Sequence, residues 1–83
     1  MAEEEIGRVD DFFSHPVVAG IKLTGTIKKG DIIHIKGHTT DLEFTASSMQ
    51  INNVNVDESK PGDSIGIKVP DRVRHGDVVY KIT

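Results

Sequence analysis

The sequence predicts an all-β fold: a small closed antiparallel β-barrel of six to seven strands. Three observations carry this. Apolar residues recur at every second position in short runs, which is the period of a half-buried strand. Gly-Asp pairs punctuate those runs. The apolar residues are rich in Val and Ile, with no Trp and one Tyr, a β-branched bias that suits a pleated surface.

The chain has 83 residues, enough for one domain. A chain of this size buries roughly 60–65% of its unfolded surface, so its core is small. Its start, Met1-Ala2-Glu3-Glu4-Glu5, is acidic. Residues 1–5 are expected to be a disordered end, leaving 6–83 as a single barrel domain. In the first clear strand Val17, Ala19, Ile21 and Leu23 alternate with Val18, Gly20 and Lys22. Ile33 and Ile35 then alternate with His34 and Lys36. From Thr40 to Ser47, Leu42, Phe44 and Ala46 share one face, while Asp41, Glu43 and Thr45 share the other. Met49 and Ile51 continue that theme. Ile65, Ile67 and Val69 alternate with Gly66 and Lys68, and Val78, Tyr80 and Ile82 alternate with Val79 and Lys81. Phe12, Phe13, Phe44 and Tyr80 are the aromatic candidates for the core.

Three turns share one form: Lys28-Lys29-Gly30-Asp31, Lys60-Pro61-Gly62-Asp63 and Arg74-His75-Gly76-Asp77. In each, Gly supplies the positive φ of a tight turn and Asp can bond nearby backbone N–H groups. Their unequal spacing argues for turns of one sheet system, not a repeat array. Closing the sheet into a barrel would remove its edges, and so small a chain cannot readily cover two sheets.

Composition excludes several classes. Without Cys there is neither a disulfide nor a thiolate metal site. No apolar run approaches the ~20 residues of a membrane-spanning helix. The acidic start is opposite to that of a signal peptide, so the expectation is a cytoplasmic protein with no membrane partner. The net charge is −3, and the chain without Glu3, Glu4 and Glu5 is near neutral, so any nucleic-acid contact would need a local basic face.

Catalytic parts are hard to assemble. His34 and His38 lie four apart on a strand and its following turn, whereas zinc pairs at that spacing need a helix to share a face. A metal-dependent activity on these two is therefore a minor reading, and no metal or other cofactor is expected. His15 precedes Pro16, and His75 sits in a turn. Asp10–Asp11 are neighbours on a strand and point apart, and Asp57–Glu58 fall in a loop. Ser47 and Ser48 lack a nucleophile elbow, and no phosphate-loop spacing occurs. The chain is expected not to be an enzyme.

The unusual stretch is Ser48-Met49-Gln50-Ile51-Asn52-Asn53-Val54-Asn55. Its amides can both donate and accept, which suits a base edge, a ribose or a peptide backbone. The plainer reading is a polar hairpin turn.

The run from Val17 to Asp31, with Gly20, Gly25 and Lys28-Lys29-Gly30-Asp31, resembles the opening strands of domain II in the translational GTPases. The later pieces Ser48-Met49-Gln50, Val56-Asp57-Glu58, Pro61-Gly62-Asp63-Ser64-Ile65-Gly66 and Val73-Arg74-His75-Gly76-Asp77-Val78 are similar in order to elongation factor Tu, initiation factor 2 and the selenocysteine-specific elongation factor. The whole looks like the stand-alone elongation factor-like proteins, and a related barrel occurs at the C-terminus of collagenase-like peptidases. The resemblance implies a barrel of the domain II type, with Met49 to Asn52 and Asp63 to Gly66 matching the groove that holds the end of aminoacylated tRNA. It brings no GTPase domain, so no GTP binding by this chain is implied.

The expectation is thus a non-enzymatic module that binds RNA (a tRNA end or the ribosome) or a translation-related protein. The rival is a protein-interaction adaptor with no nucleic-acid ligand. The candidate binding residues are Ser48, Gln50, Asn52, Asn53 and Ser64, with Lys22, Lys36 and Lys68 as phosphate contacts on the outer faces of their strands.

Overall fold

Alternation and turn chemistry produce ten short strands. A computed structural model describes residues 2–14 and 17–83; Met1, His15 and Pro16, including the reading of His15 before Pro16, lie outside the described residues. The strands are β1 (Glu3–Ser14), β2 (Val17–Leu23), β3 (Ile27–Lys28), β4 (Ile32–Lys36) and β5 (Asp41–Thr45). They continue as β6 (Met49–Ile51), β7 (Val54–Val56), β8 (Glu58–Ser59), β9 (Ser64–Lys68) and β10 (Val78–Ile82). Eight form one sheet in the order β5-β4-β10-β1-β2-β9-β6-β7, with every pairing antiparallel, and β3 pairs with β8.

The fold is all-β and antiparallel, as the periodicity predicts, but it is not a closed barrel. No ladder joins the edge strands β5 and β7 among the described residues. The seam is stitched instead by the short β3–β8 ladder and by backbone bonds at the turns. Gly30 N donates to Ala46 O, Ala46 N to Asp31 O, and Lys29 N to Asp57 O, each at 2.8 Å. The strand count also exceeds six or seven: β3 and β8 are two residues long and β7 three, too short to show a period, and bulges break the alternation of β1.

The concave side holds an aliphatic core. Ile6, Ile27, Ile33, Ile35, Ile67 and Val79 are fully buried, with Val9, Ala19, Ile21, Leu23, Ala46, Met49, Ile65, Val69 and Val73 around them. Each buried Ile or Val stabilises the fold by roughly 1.5–3 kcal/mol. No aromatic residue is fully buried. Phe12 and Phe44 are half-buried and pack against this cluster, while Phe13 stands outside, 53% exposed. Tyr80 faces outward too: Val79 fills the core position, and the outer ring carries Lys36 Nζ 5.3 Å from its centroid. The phase read from the sequence, with Val78, Tyr80 and Ile82 on the core face, is therefore reversed, because adjacent Val78 and Val79 satisfy the alternation in either phase.

The acidic start is ordered from Glu3. Glu3, Glu4 and Glu5 pair with Ile82, Lys81 and Tyr80 of β10, and Glu3 gains two side-chain partners described below. A frayed stretch over 1–5 therefore gives way to a strand. Register shifts between Glu5 and Gly7 and between Val9 and Asp11 mark β-bulges, and Gly7 admits Lys22 O within 2.6 Å of where a Cβ would stand.

The three Gly-Asp turns are alike in detail. Gly30, Gly62 and Gly76 have φ of 98°, 93° and 92°. Asp31, Asp63 and Asp77 each accept, through Oδ2, the backbone N–H three residues earlier, at 2.8–2.9 Å. Their own N–H groups donate back to the carbonyls of Lys28, Lys60 and Arg74. Among the described residues no helix is long and apolar enough to cross a membrane.

Candidate functional site

Alternation along β2 and β9 sends Ala19, Ile21, Ile65 and Ile67 inward and leaves Val18, Gly20, Lys22, Ser64, Gly66 and Lys68 on the outer face. The ladder sets Val18 opposite Lys68, Gly20 opposite Gly66 and Lys22 opposite Ser64. Gln50 of β6 follows in the Gly20–Gly66 row, and its Nε2 donates to Asn55 Oδ1 at 3.1 Å on β7. Because Gly66 carries no side chain, the outer surface is hollow beside it, whereas Asp11 covers Gly20.

That hollow is a groove of about 440 Å³. Phe13 and Val18 form its apolar wall, Gly66 its floor, and Gln50, Asn52, Asn53 and Ser64 its polar rim. Asn52 and Asn53 take φ of 52° and 64° at the β6–β7 turn, the left-handed pair that a two-residue hairpin requires and that Asn tolerates. The polar-turn reading of these asparagines is therefore correct, and the same turn carries their amides to the groove rim. A smaller hollow of about 260 Å³ continues the groove past Val18, Gln50 and Gly66 to Ser48 and Lys68.

The structure brings together six of the eight sequence-predicted residues: Ser48, Gln50, Asn52, Asn53, Ser64 and Lys68. Lys22 lies on the same face, opposite Ser64, without lining either hollow. Lys36 is elsewhere, on β4 with its Nζ 2.6 Å from Glu3 Oε1. Phe13 and Val18 lie outside the binding candidates read from the sequence, and Gly66 enters only as the end of the Asp63–Gly66 stretch of the resemblance. The available signal was the pair Phe12-Phe13, since two neighbours on a strand cannot both face the core. Two larger hollows, about 580 and 530 Å³, lie along the turn at Arg72, and no sequence-predicted residue reaches either.

A second polar cluster occupies the opposite outer face. His34 Nδ1 is 2.5 Å from Glu3 Oε2, and its Nε2 meets the Asp41 carboxylate. With a carboxylate at each ring nitrogen, both must donate, which favours the imidazolium. The Asp41 bond, aided by Glu3 and opposed by burial, raises the His34 pKa. Lys36 and then His34 hold Glu3 below its ordinary value, and Glu3 in turn raises Lys36. Such a histidine has no free lone pair with which to act as a base. His38 is exposed in the turn beyond, and among the described residues no three His, Cys, Asp or Glu side chains converge as metal ligands.

No protein-family model matches the chain. An uncharacterised protease of Methanocaldococcus jannaschii is 46% identical over 77 residues, which cover 92% of this chain. The chain spans 19% of that relative's length. The fold is shared with the C-terminal domain of a protein from Geobacillus thermoleovorans described as a U32 peptidase. There the TM-score is 0.89 at 14% identity, over 96% of this chain and 93% of that one. GDP-bound aIF5B from Aeropyrum pernix matches at a TM-score of 0.67 and 20% identity, over 94% of this chain and 15% of that one.

These relatives correct the resemblance drawn from the motifs. The chain is similar in sequence to a protein named a protease, and in fold to a peptidase C-terminal domain; the translation factor supplies a more distant, partial match. The expected RNA-binding translation module is overturned on that ground, and the adaptor reading gains nothing from it. The expectation that the chain is not an enzyme is overturned by the same relative, which is named a protease and of which this chain spans 19%.

Proposed function

We propose that this chain is the β-domain of a U32-type protease and that its outer groove receives polypeptide for a catalytic part outside these 83 residues. The observation that carries the reading is the 46% identity, over nearly the whole chain, to a protein named a protease. The groove supports it. An extended polypeptide presents alternating side chains and a row of N–H and C=O groups. The groove offers an apolar wall at Phe13 and Val18 for the former and donor–acceptor amides at Gln50, Asn52 and Asn53 for the latter. A side-chain-free floor at Gly66 lets the ligand backbone approach closely.

The test is a titration of the isotope-labelled chain with reduced, carboxymethylated α-lactalbumin, a permanently unfolded polypeptide, followed by amide NMR shifts. Saturable shifts at Gln50, Asn52, Asn53, Ser64 and Gly66, lost in Phe13→Ala, are the expected result. Shifts confined to the His34 face, or none at all, would remove the groove from substrate handling.

A further inference from the structure

We infer that the groove selects an acidic polypeptide segment in extended form, with two carboxylates four residues apart and an apolar side chain midway. This deepens the polypeptide-docking reading above and rests on it.

Three rows cross the outer face, two residues apart along β2 and β9: Lys22 with Ser64, Gly20 with Gly66, and Val18 with Lys68. Lys22 and Lys68 therefore stand four residues apart along the strands, about 13 Å, on adjacent strands. An extended peptide repeats its side chains on one face with the same two-residue period, so its positions i, i+2 and i+4 fall on these three rows. The match needs no bending of the peptide.

The end rows are cationic. Among the described residues neither Lys22 nor Lys68 enters a salt bridge, whereas Lys36 is held by Glu3. Arg8 of β1 pairs in register with Lys22 and extends that row. Acidic side chains concentrate on the other outer face, at Glu3, Glu5, Asp41 and Glu43. A chain of net charge −3 thus presents two cations at the end rows of this face, Lys68 beside the smaller hollow and Lys22 beyond Ser64, while its acidic face repels a ligand of the same sign.

The middle row is built to receive a side chain. Gly66 has an ordinary negative φ, and a Cβ there would meet only Val18 Cγ1, at 3.4 Å, a normal contact. Neither backbone conformation nor packing requires glycine at this position, yet its absence of a side chain makes the hollow. Phe13, 53% exposed, and Val18 border it, so the occupant is apolar. Asp11 pairs in register with Gly20 from β1 and disfavours a carboxylate in this central row, directing the ligand's acids to the ends.

A rhodamine-labelled nonapeptide tests this, with Glu at its third and seventh positions, Phe at its fifth, and Gly and Ser elsewhere. Titrated with the 83-residue chain and read by fluorescence anisotropy, it should bind saturably and more weakly as salt rises. Lys22→Glu with Lys68→Glu should weaken binding about tenfold or more, since two attractive pairs become repulsive. Gly66→Val should do the same by filling the hollow, and Lys36→Glu should leave binding unchanged. If the unfolded polypeptide binds the groove but the Glu→Gln nonapeptide binds as well as its parent, the acidic selectivity is wrong and the docking reading stands. If neither polypeptide nor peptide binds, both fail. Displacement of the peptide by a single-stranded RNA oligonucleotide of higher affinity would overturn the inference in favour of a phosphate ligand.

Discussion

Replacing Asp77 with Ala should cost about three times what the same change costs at Asp31 or Asp63, although all three close the same turn. In each case the carboxylate accepts one backbone N–H at 2.8–2.9 Å, so the bond itself does not distinguish them. Burial does. Asp77 is 6% exposed, whereas Asp31 and Asp63 are half-exposed. Without its carboxylate the part-buried Arg74 N–H is less open to a replacing water than its exposed counterparts at Lys28 and Lys60, a loss of about 1–3 kcal/mol. The Asp77 carboxylate also packs against Gly37, where a Cβ would lie 1.9 Å from Oδ1, so truncation opens a gap as well. At Asp31 and Asp63 water can take over, and about 0.5–1 kcal/mol is expected. The totals are about 2–3 kcal/mol against about 0.5–1 kcal/mol. For a domain of this size these amount to about 10–20 °C in Tm against about 2–8 °C. Urea unfolding of the three single variants at pH 7, followed by circular dichroism, measures them. Asp77→Asn, which keeps an acceptor oxygen, should recover part of the loss. Equal losses at the three positions would refute the argument, because burial and packing at Asp77 are the differences on which it rests.

The His34 cluster should make stability depend on pH in a defined sense. His34 is faced by Glu3 from β1, Asp41 and Glu43 from β5, Tyr80 from β10 and Lys36 on its own strand. Its pKa is raised from 6.5, chiefly by Asp41, so its stabilisation is complete below 6.5 and is lost as pH rises through the folded value. Glu3 is depressed below 4.5, so its share is present above 4.5 and is lost as pH falls through its folded value. The gap in urea midpoint between the parent and His34→Gln should thus be wide near pH 6 and narrow near pH 9; equal gaps would contradict the geometry. Phe13→Ala and Ile67→Ala should separate surface from core. The first should leave Tm nearly unchanged, because the ring is half in solvent, while the second, at a fully buried position, should cost about 2–5 kcal/mol in the same unfolding assay.

Most of the fold was legible because β2, β4, β5 and β9 keep strict alternation and because each Gly-Asp turn announces itself. The longest strand, β1, was nearly invisible for a physical reason. Ile6, Gly7 and Val9 are its buried residues and Phe12 its half-buried one, a spacing that two bulges create and that no period-two pattern displays. Glu3, Glu4 and Glu5 read as a frayed acidic end because their partners, β10 and the side chains of His34 and Lys36, lie more than 30 residues away. Closure failed for a related reason: alternation specifies which face is buried, not whether the last strand meets the first. The polar part of the site was readable, since amides clustered in sequence at 50–55 stay clustered across a two-residue turn. Its apolar wall was not, because Phe13 and Val18 join it through register.

The family resemblance read from the motifs went astray in an instructive way. The three Gly-Asp pairs that helped to carry it, Gly30-Asp31, Gly62-Asp63 and Gly76-Asp77, have a structural task in this chain. The glycines hold positive φ, and the aspartates cap the turns. Motifs of that kind report how a strand is joined to the next, and any protein with the same rolled sheet needs them. The fold itself is shared with aIF5B at 20% identity. Function has to be read from positions the fold leaves unconstrained. Gly66 is one, since neither φ nor packing demands it, and Phe13 is another, since its ring is 53% exposed and outside the core cluster. Both lie in the same groove, on the face where unpaired lysines bracket uncharged amides, and it is their coincidence there that singles out this surface.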